Sequence, residues 1–76
     1  MLFNLKTLTG RKIYLESDDF EKIIDIKKKL NELEGIEFHQ IRLIMIGKML
    51  NDTMLVKEVI TNSNQSMFMV LSLRGG

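Results

Sequence analysis

Residues 23–36 read Ile23-Ile24-Asp25-Ile26-Lys27-Lys28-Lys29-Leu30-Asn31-Glu32-Leu33-Glu34-Gly35-Ile36. Ile23, Ile26, Leu30 and Leu33 recur at i, i+3, i+7 and i+10, an apolar stripe with a period near 3.6. That spacing predicts an amphipathic helix. Gly35 stands where a helix ends through a left-handed residue, and Ile36 beyond it can make the accompanying hydrophobic contact. Upstream, Ser17-Asp18-Asp19 offers capping oxygens. Lys27-Lys28-Lys29 spreads around the helix and reads as a solvated face rather than a nucleic-acid site. One well-delimited helix in a chain otherwise patterned for strands decides the fold class.

Working outward, Met1, Phe3 and Leu5 alternate with Leu2, Asn4 and Lys6, and Ile13 and Leu15 alternate with Lys12, Tyr14 and Glu16. Each pattern suits a strand with one buried face. Thr7-Leu8-Thr9-Gly10 between them reads as a hairpin loop with Gly10 at positive φ. Ile41 to Ile46 forms a β-branched third strand turned at Gly47-Lys48, and Leu50 follows as a short edge segment. From Asn51 to Gln65 the chain is polar and irregular, anchored by Leu55, Val56, Val59 and Ile60. Met67 to Leu73 reads as the last strand. Strand-strand-helix-strand-strand gives an α+β layer pair, a mixed sheet with one helix across it.

Seventy-six residues make one domain, near the lower limit for a core without staples. With no Cys, neither disulfides nor thiolate metal sites are available. Eleven basic against ten acidic residues leave a net charge of +1, which points to neither nucleic acid nor membrane as partner. No apolar run is long enough to span a bilayer and no signal pattern opens the chain. The expectation is a soluble intracellular monomer.

One helix covers one face of a sheet. If Met67, Met69, Leu71, Ile41, Leu43 and Met45 face the core, then Ile44, Phe68 and Val70 are exposed together, with Leu8 at the hairpin tip beside them. Such a cluster, rimmed by Arg42 and Lys48, marks a docking surface more often than isolated exposed residues do. Each side chain is worth roughly 1.5–3 kcal/mol when buried in a partner, so three or four support micromolar binding. His39 is the lone histidine and reads as a loop residue without a role. Gly47-Lys48 lacks the upstream glycine of a phosphate loop, because Arg42 occupies its place. No nucleophile, base and orienting acid assemble, so the chain is not itself an enzyme. The ending Leu71-Ser72-Leu73-Arg74-Gly75-Gly76 offers a second feature. Two glycines without Cβ atoms can thread a narrow slot and leave the terminal acyl carbon open to a nucleophile; the bland alternative is a frayed terminus.

Met1, Lys6-Thr7-Leu8-Thr9-Gly10, Glu34-Gly35-Ile36, Gln40, Arg42-Leu43-Ile44, Gly47-Lys48, Asp52, Val70-Leu71 and Leu73-Arg74-Gly75-Gly76 resemble the ubiquitin family over the whole chain. They match ubiquitin and its cullin-modifying branch (the Rub or neddylation modifiers) equally. The resemblance implies a β-grasp domain over 1–72 and a conjugation tail over 73–76. It implies that an activating enzyme uses ATP to adenylate the Gly76 carboxylate, this chain binding no cofactor itself. The acyl group then passes through enzyme thioesters to a target lysine as an isopeptide. Gly75 and Gly76 are the acyl donor in this reading, and Leu71, Leu73 and Arg74 the recognised tail. Leu8, Ile44, Phe68, Val70, Arg42, Gly47 and Lys48 match the family's docking patch, while Lys6, Lys27, Lys29 and Lys48 match its acceptor lysines. Partners implied are activating and conjugating enzymes, ligases, cullin-type or other targets and deconjugating proteases, in cytoplasm and nucleus.

The departures discriminate. Arg11, Leu33 and Ser63 replace family lysines, which excludes chains through those positions. Glu37-Phe38 replaces a proline pair, and Phe68 replaces the patch histidine. Between Thr53 and Ser66 an ungapped alignment buries Val56 and Thr61; a one-residue shift buries Leu55 and Ile60 and is the alignment expected. The structural tyrosine of that loop is missing, with Val59 or Glu58 in its place. Leu2, Lys22, Ile26 and Asn51 resemble the cullin modifier, whereas Leu15, Glu16, Ile23 and Lys29 resemble ubiquitin. Ser72 tips the balance. Ubiquitin carries Arg there, the cullin modifier a small neutral residue, and the two activating enzymes discriminate at this position. The expectation is a modifier of the cullin type. The alternatives are a divergent ubiquitin, a non-covalent interaction module in which the glycines are accidental, and, more distantly, a sulfur carrier.

Overall fold

The computed structural model describes residues 2–61 and 66–72. Met1, Ser63, Leu73, Arg74, Gly75 and Gly76 lie outside the described residues. The elements are β1 (Leu2–Lys6), β2 (Lys12–Glu16), α1 (Ile23–Glu34), a 3-10 turn (Phe38–Gln40), β3 (Ile41–Met45), β4 (Lys48–Met49), α2 (Val56–Val59) and β5 (Ser66–Leu71). The strands form one sheet in the order β2-β1-β5-β3-β4. β1 and β5 run parallel at its centre and every other pair is antiparallel. This is the β-grasp arrangement, a mixed sheet with one main helix packed across it.

Alternation sets the layers. Ile13 pairs with Leu5, and Leu5 with Met67; Leu43 pairs with Met69. These side chains point to the α1 side and are buried, as are Ile23, Ile26 and Leu30 of the helix. Leu33 breaks the expected stripe and is 62% exposed. It stands in the last helical turn. Gly35 then turns the chain at φ +69°, its N–H donating to the Asn31 carbonyl at 2.9 Å, and Ile36 packs on the core instead. Leu71, expected inward, is also half exposed at the end of β5.

The helix start differs from the sequence expectation too. Ser17, Asp18 and Asp19 do not cap it. The Ile23 and Ile24 N–H groups donate to the carbonyls of Met54 and Asp52 at 2.9 and 3.1 Å, while Asp25 accepts the Lys22 N–H at 2.9 Å. Those donors would otherwise be orphans; a loop thirty residues downstream satisfies them, which no local pattern announces. Lys27 is the matching surprise in the basic run. It is 7% exposed, with its ammonium held by Asp52. Only Lys28 stands fully in solvent; Lys29 donates to the Glu16 carbonyl and to Glu21.

The Lys29 ammonium, followed by the Asp18 N–H, holds the Glu21 carboxyl below its ordinary range. A lowered folded-state pKa stabilises the fold above the unfolded value, and that stability is lost as pH falls through the lowered one. Glu21→Gln is therefore expected to flatten part of the acid limb of a stability–pH curve measured by urea denaturation between neutral pH and pH about 3. At neutral pH it lowers stability slightly.

Two further corrections concern the second half. The β3–β4 turn is centred on Ile46 and Gly47 rather than Gly47 and Lys48, because Met45 pairs with Lys48 across it. Both central residues have positive φ, +52° and +72°, the geometry of a type I′ hairpin turn. Leu50 then leaves the sheet edge and is buried in the core. In the loop beyond, Val56 and Ile60 are the buried anchors, a mixture of the two alignments, while Leu55 is only half buried and Thr61 exposed. The reason is α2: residues four apart share a helical face, whereas residues five apart do not.

Candidate functional site

The candidate site lies on the sheet face turned away from α1. Across it, the register sets Lys12, Lys6, Phe68, Ile44 and Met49 in one row spanning all five strands. Val70 pairs with Arg42 in the row beside it. Phe68 is 44% exposed, and Ile44 and Val70 are half buried against each other's strands. The β1–β2 loop brings Leu8 to the surface. That loop is held by the Thr7 N–H to the Arg11 carbonyl and the Gly10 N–H to the Thr7 carbonyl, at 2.9 and 3.0 Å. A Thr7–Thr9 hydroxyl contact of 2.9 Å adds to it, and Gly10 takes φ +85°. Ile44, Phe68 and Val70 thus share the outer face, while Leu8 stands exposed in the β1–β2 loop.

Sequence reasoning missed Met49, 61% exposed and directly opposite Ile44. A two-residue strand shows no periodicity, so its facing follows only once the turn is known. The outer face is basic around this cluster, with Lys6, Lys12 and Arg42 on it and Lys48 at the β4 edge, where it pairs with the inward-facing Met45. The Arg42 guanidinium is anchored, donating to the His39 carbonyl at 3.0 Å, whereas the Lys48 ammonium reaches freely into solvent. His39 is exposed, its ring 4.1 Å from that of Phe38.

The base of the tail lies at one edge of this face. The Ser72 N–H donates to the Gln40 carbonyl at 2.7 Å, which pins the chain just as it leaves β5. Leu71 and Leu8 line a shallow cavity of about 290 Å³ with Ile36 and Met69. The remaining tail residues, Leu73, Arg74, Gly75 and Gly76, are outside the described range. Of the lysines named from the resemblance, Lys6 stands on the outer sheet face opposite Phe68, and Lys48 is exposed at the β4 edge. Lys29 is engaged with Glu21 and the Glu16 carbonyl, and Lys27 is buried against Asp52. Among the described residues no group of His, Cys, Asp or Glu could hold a metal, and no helix is long and apolar enough to cross a membrane.

The model of the ubiquitin family matches residues 3–74. The chain is 41% identical over 76 residues to "Ubiquitin-like protein NEDD8" of Dictyostelium discoideum, covering all of this chain and 99% of that one. It is 40% identical over its full length to "Ubiquitin-like protein 1" of Schizosaccharomyces pombe, covering 97% of that protein. To "NEDD8-like protein RUB1" of Saccharomyces cerevisiae it is 38% identical, again over all 76 residues and 99% of the relative. With a whole-chain match, a β-grasp sheet and an apolar outer face in register, the chain belongs to the ubiquitin family.

Proposed function

We propose that this protein is a modifier of the cullin-directed type, joined through the Gly76 carboxyl to lysines of its targets. The chain is the substrate of that chemistry and not its catalyst. An activating enzyme spends ATP to form the acyl adenylate at Gly76, a cysteine of that enzyme displaces AMP to give a thioester, and a lysine amine finally displaces the thiolate. Each stage supplies a better leaving group than a free carboxylate offers. Conjugating enzymes, ligases and deconjugating proteases dock on the Leu8, Ile44, Phe68 and Val70 face in the cytoplasm and nucleus, with Arg42 and Lys48 at its rim. Lys48 and Lys6 are the acceptors for any further modifier, since their ammonium groups need no opening of the fold.

The observation that carries this reading is Ser72. It stands at the root of the tail, tied by its backbone to Gln40, so its side chain enters any activating enzyme ahead of the glycines. A hydroxymethyl group cannot make the charge-assisted contact that an arginine makes there, worth about 1.5–3 kcal/mol. The test is thioester charging with each of the two activating enzymes, purified, with ATP. The wild-type chain is expected to charge on the cullin-modifier activator and poorly on the ubiquitin activator. Ser72→Arg is expected to raise charging by the ubiquitin activator about ten- to a hundredfold. Fast wild-type charging by the ubiquitin activator alone would instead make the chain a divergent ubiquitin.

A further inference from the structure

A cavity of about 270 Å³ opens at the sheet edge between β4 and α2, adjoining the outer face at Met49. Met45, Ile46, Met49, Leu50, Met54 and Val59 line it, and Lys48 is its single charged neighbour. An apolar cavity of about 150 Å³ already accommodates a benzene-sized group, so this one has room for a large side chain. Three of its walls are methionines, whose unbranched, polarisable side chains adapt to differently shaped guests.

Two features of the lip are unfavourable for the isolated chain. Ile46 adopts φ +52°, a left-handed conformation in which a β-branched residue is an outlier. Its side chain is moreover 79% exposed, so the strain obtains no burial in return. Asn or Asp before Gly47 would form the same turn without strain. A strained, projecting apolar residue beside an apolar groove is the pattern of a contact completed by something else.

Charge decides what that is. The Lys48 ammonium has no ion pair among the described residues, and it is the one charged side chain lining the groove. Two copies meeting edge to edge through this groove would set one Lys48 ammonium against the other. We infer that the groove receives a peptide segment of another protein, presenting one large apolar side chain next to a carboxylate. The apolar group packs between Met49, Met54 and Val59 under Ile46, and the carboxylate pairs with Lys48. This contact shares Met49 and Lys48 with the margin of the Ile44 face but does not include Ile44 itself, and it is independent of the tail chemistry.

The experiment is selection of a random 12-residue phage-displayed peptide library on the immobilised protein, followed by fluorescence-polarisation titration of the enriched peptides. The expected consensus is Leu, Met or Phe adjacent to Asp or Glu. Lys48→Glu, a surface change that leaves the core alone, is expected to weaken binding about tenfold or more, and Met54→Trp, which fills the groove, by a similar factor. Ile46→Asn is expected to raise Tm by about 4–8 °C while weakening the same peptides. Ile44→Ala should leave them bound, which separates this site from the docking face. Recovery of no peptides, of peptides without an acidic residue, or of peptides indifferent to both Lys48→Glu and Met54→Trp overturns the inference. So does concentration-dependent self-association through this edge in analytical ultracentrifugation.

Discussion

Leu43→Ala is expected to destabilise the fold by about 2–5 kcal/mol, whereas Ile44→Ala, one residue on, is expected to cost only about 1–1.5 kcal/mol. The two side chains are of similar size and stand on the same strand, so the difference isolates the face. Leu43 is fully buried and pairs with Met69 on the helix side. Its truncation removes apolar burial and leaves a cavity that a β-sheet backbone cannot collapse to fill. A domain of this length is stable by roughly 4–11 kcal/mol in total, so the loss approaches half of it. Ile44 is half buried and pairs with Phe68 and Met49 across the outer face. Its truncation leaves a step on a surface, not a void. Urea denaturation of both variants checks the stabilities, and a pull-down with a conjugating enzyme checks the binding. Ile44→Ala should lose about ten- to a hundredfold in affinity while folding cooperatively. Loss of cooperative unfolding in Ile44→Ala would place that residue in the core and remove the docking face.

Which parts of this architecture are legible from residues alone follows from how far each cause reaches along the chain. The alternation of Phe3 with Leu5, or of Met67 with Met69, is a local signal imposed by the pleat, and it assigns the two sheet faces correctly. The shared outward facing of Ile44, Phe68 and Val70 follows from that assignment. Leu33 keeps the helical period yet is exposed, because periodicity alone does not record which residues of a stripe are covered. Lys27 reads as one of three solvated cations until Asp52, twenty-five residues away, is brought against it. The turn at Ile46 and Gly47 escapes recognition since isoleucine is among the residues least suited to positive φ, and with it goes the facing of Met49. Val56 and Ile60 are anchors only because a single turn of helix aligns them, too short a piece for any periodic pattern. Of the proposed site, the docking face is thus legible through strand alternation. The groove beside β4 is not legible in this way, because the two-residue β4 and the single turn of α2 carry no periodic pattern.

Removing Gly75 and Gly76 is expected to abolish charging and conjugation altogether while leaving non-covalent partners bound. The truncated chain ends in the Arg74 carboxylate, about 7 Å short of the original terminus along an extended backbone. A misplacement of 1 Å at a reacting centre already costs on the order of a hundredfold in rate. Arg74 also brings a Cβ and a long side chain into a slot that bare glycine is suited to thread. No adenylate forms, so no thioester and no isopeptide can follow. The Ile44 face is untouched, because β3 and β5 hold it through backbone pairing that ends at Leu71. The same truncation should therefore show wild-type affinity for a conjugating enzyme in a pull-down and no thioester band with ATP and the activating enzyme. Ile44→Ala should give the opposite pair of results, with charging largely preserved and docking lost. The two variants together separate a chain that acts by being transferred from one that acts only by being bound. A truncated chain that still became linked to lysines would show the terminal carboxyl to be irrelevant, and a truncated chain that kept all cellular activity would leave only the interaction module.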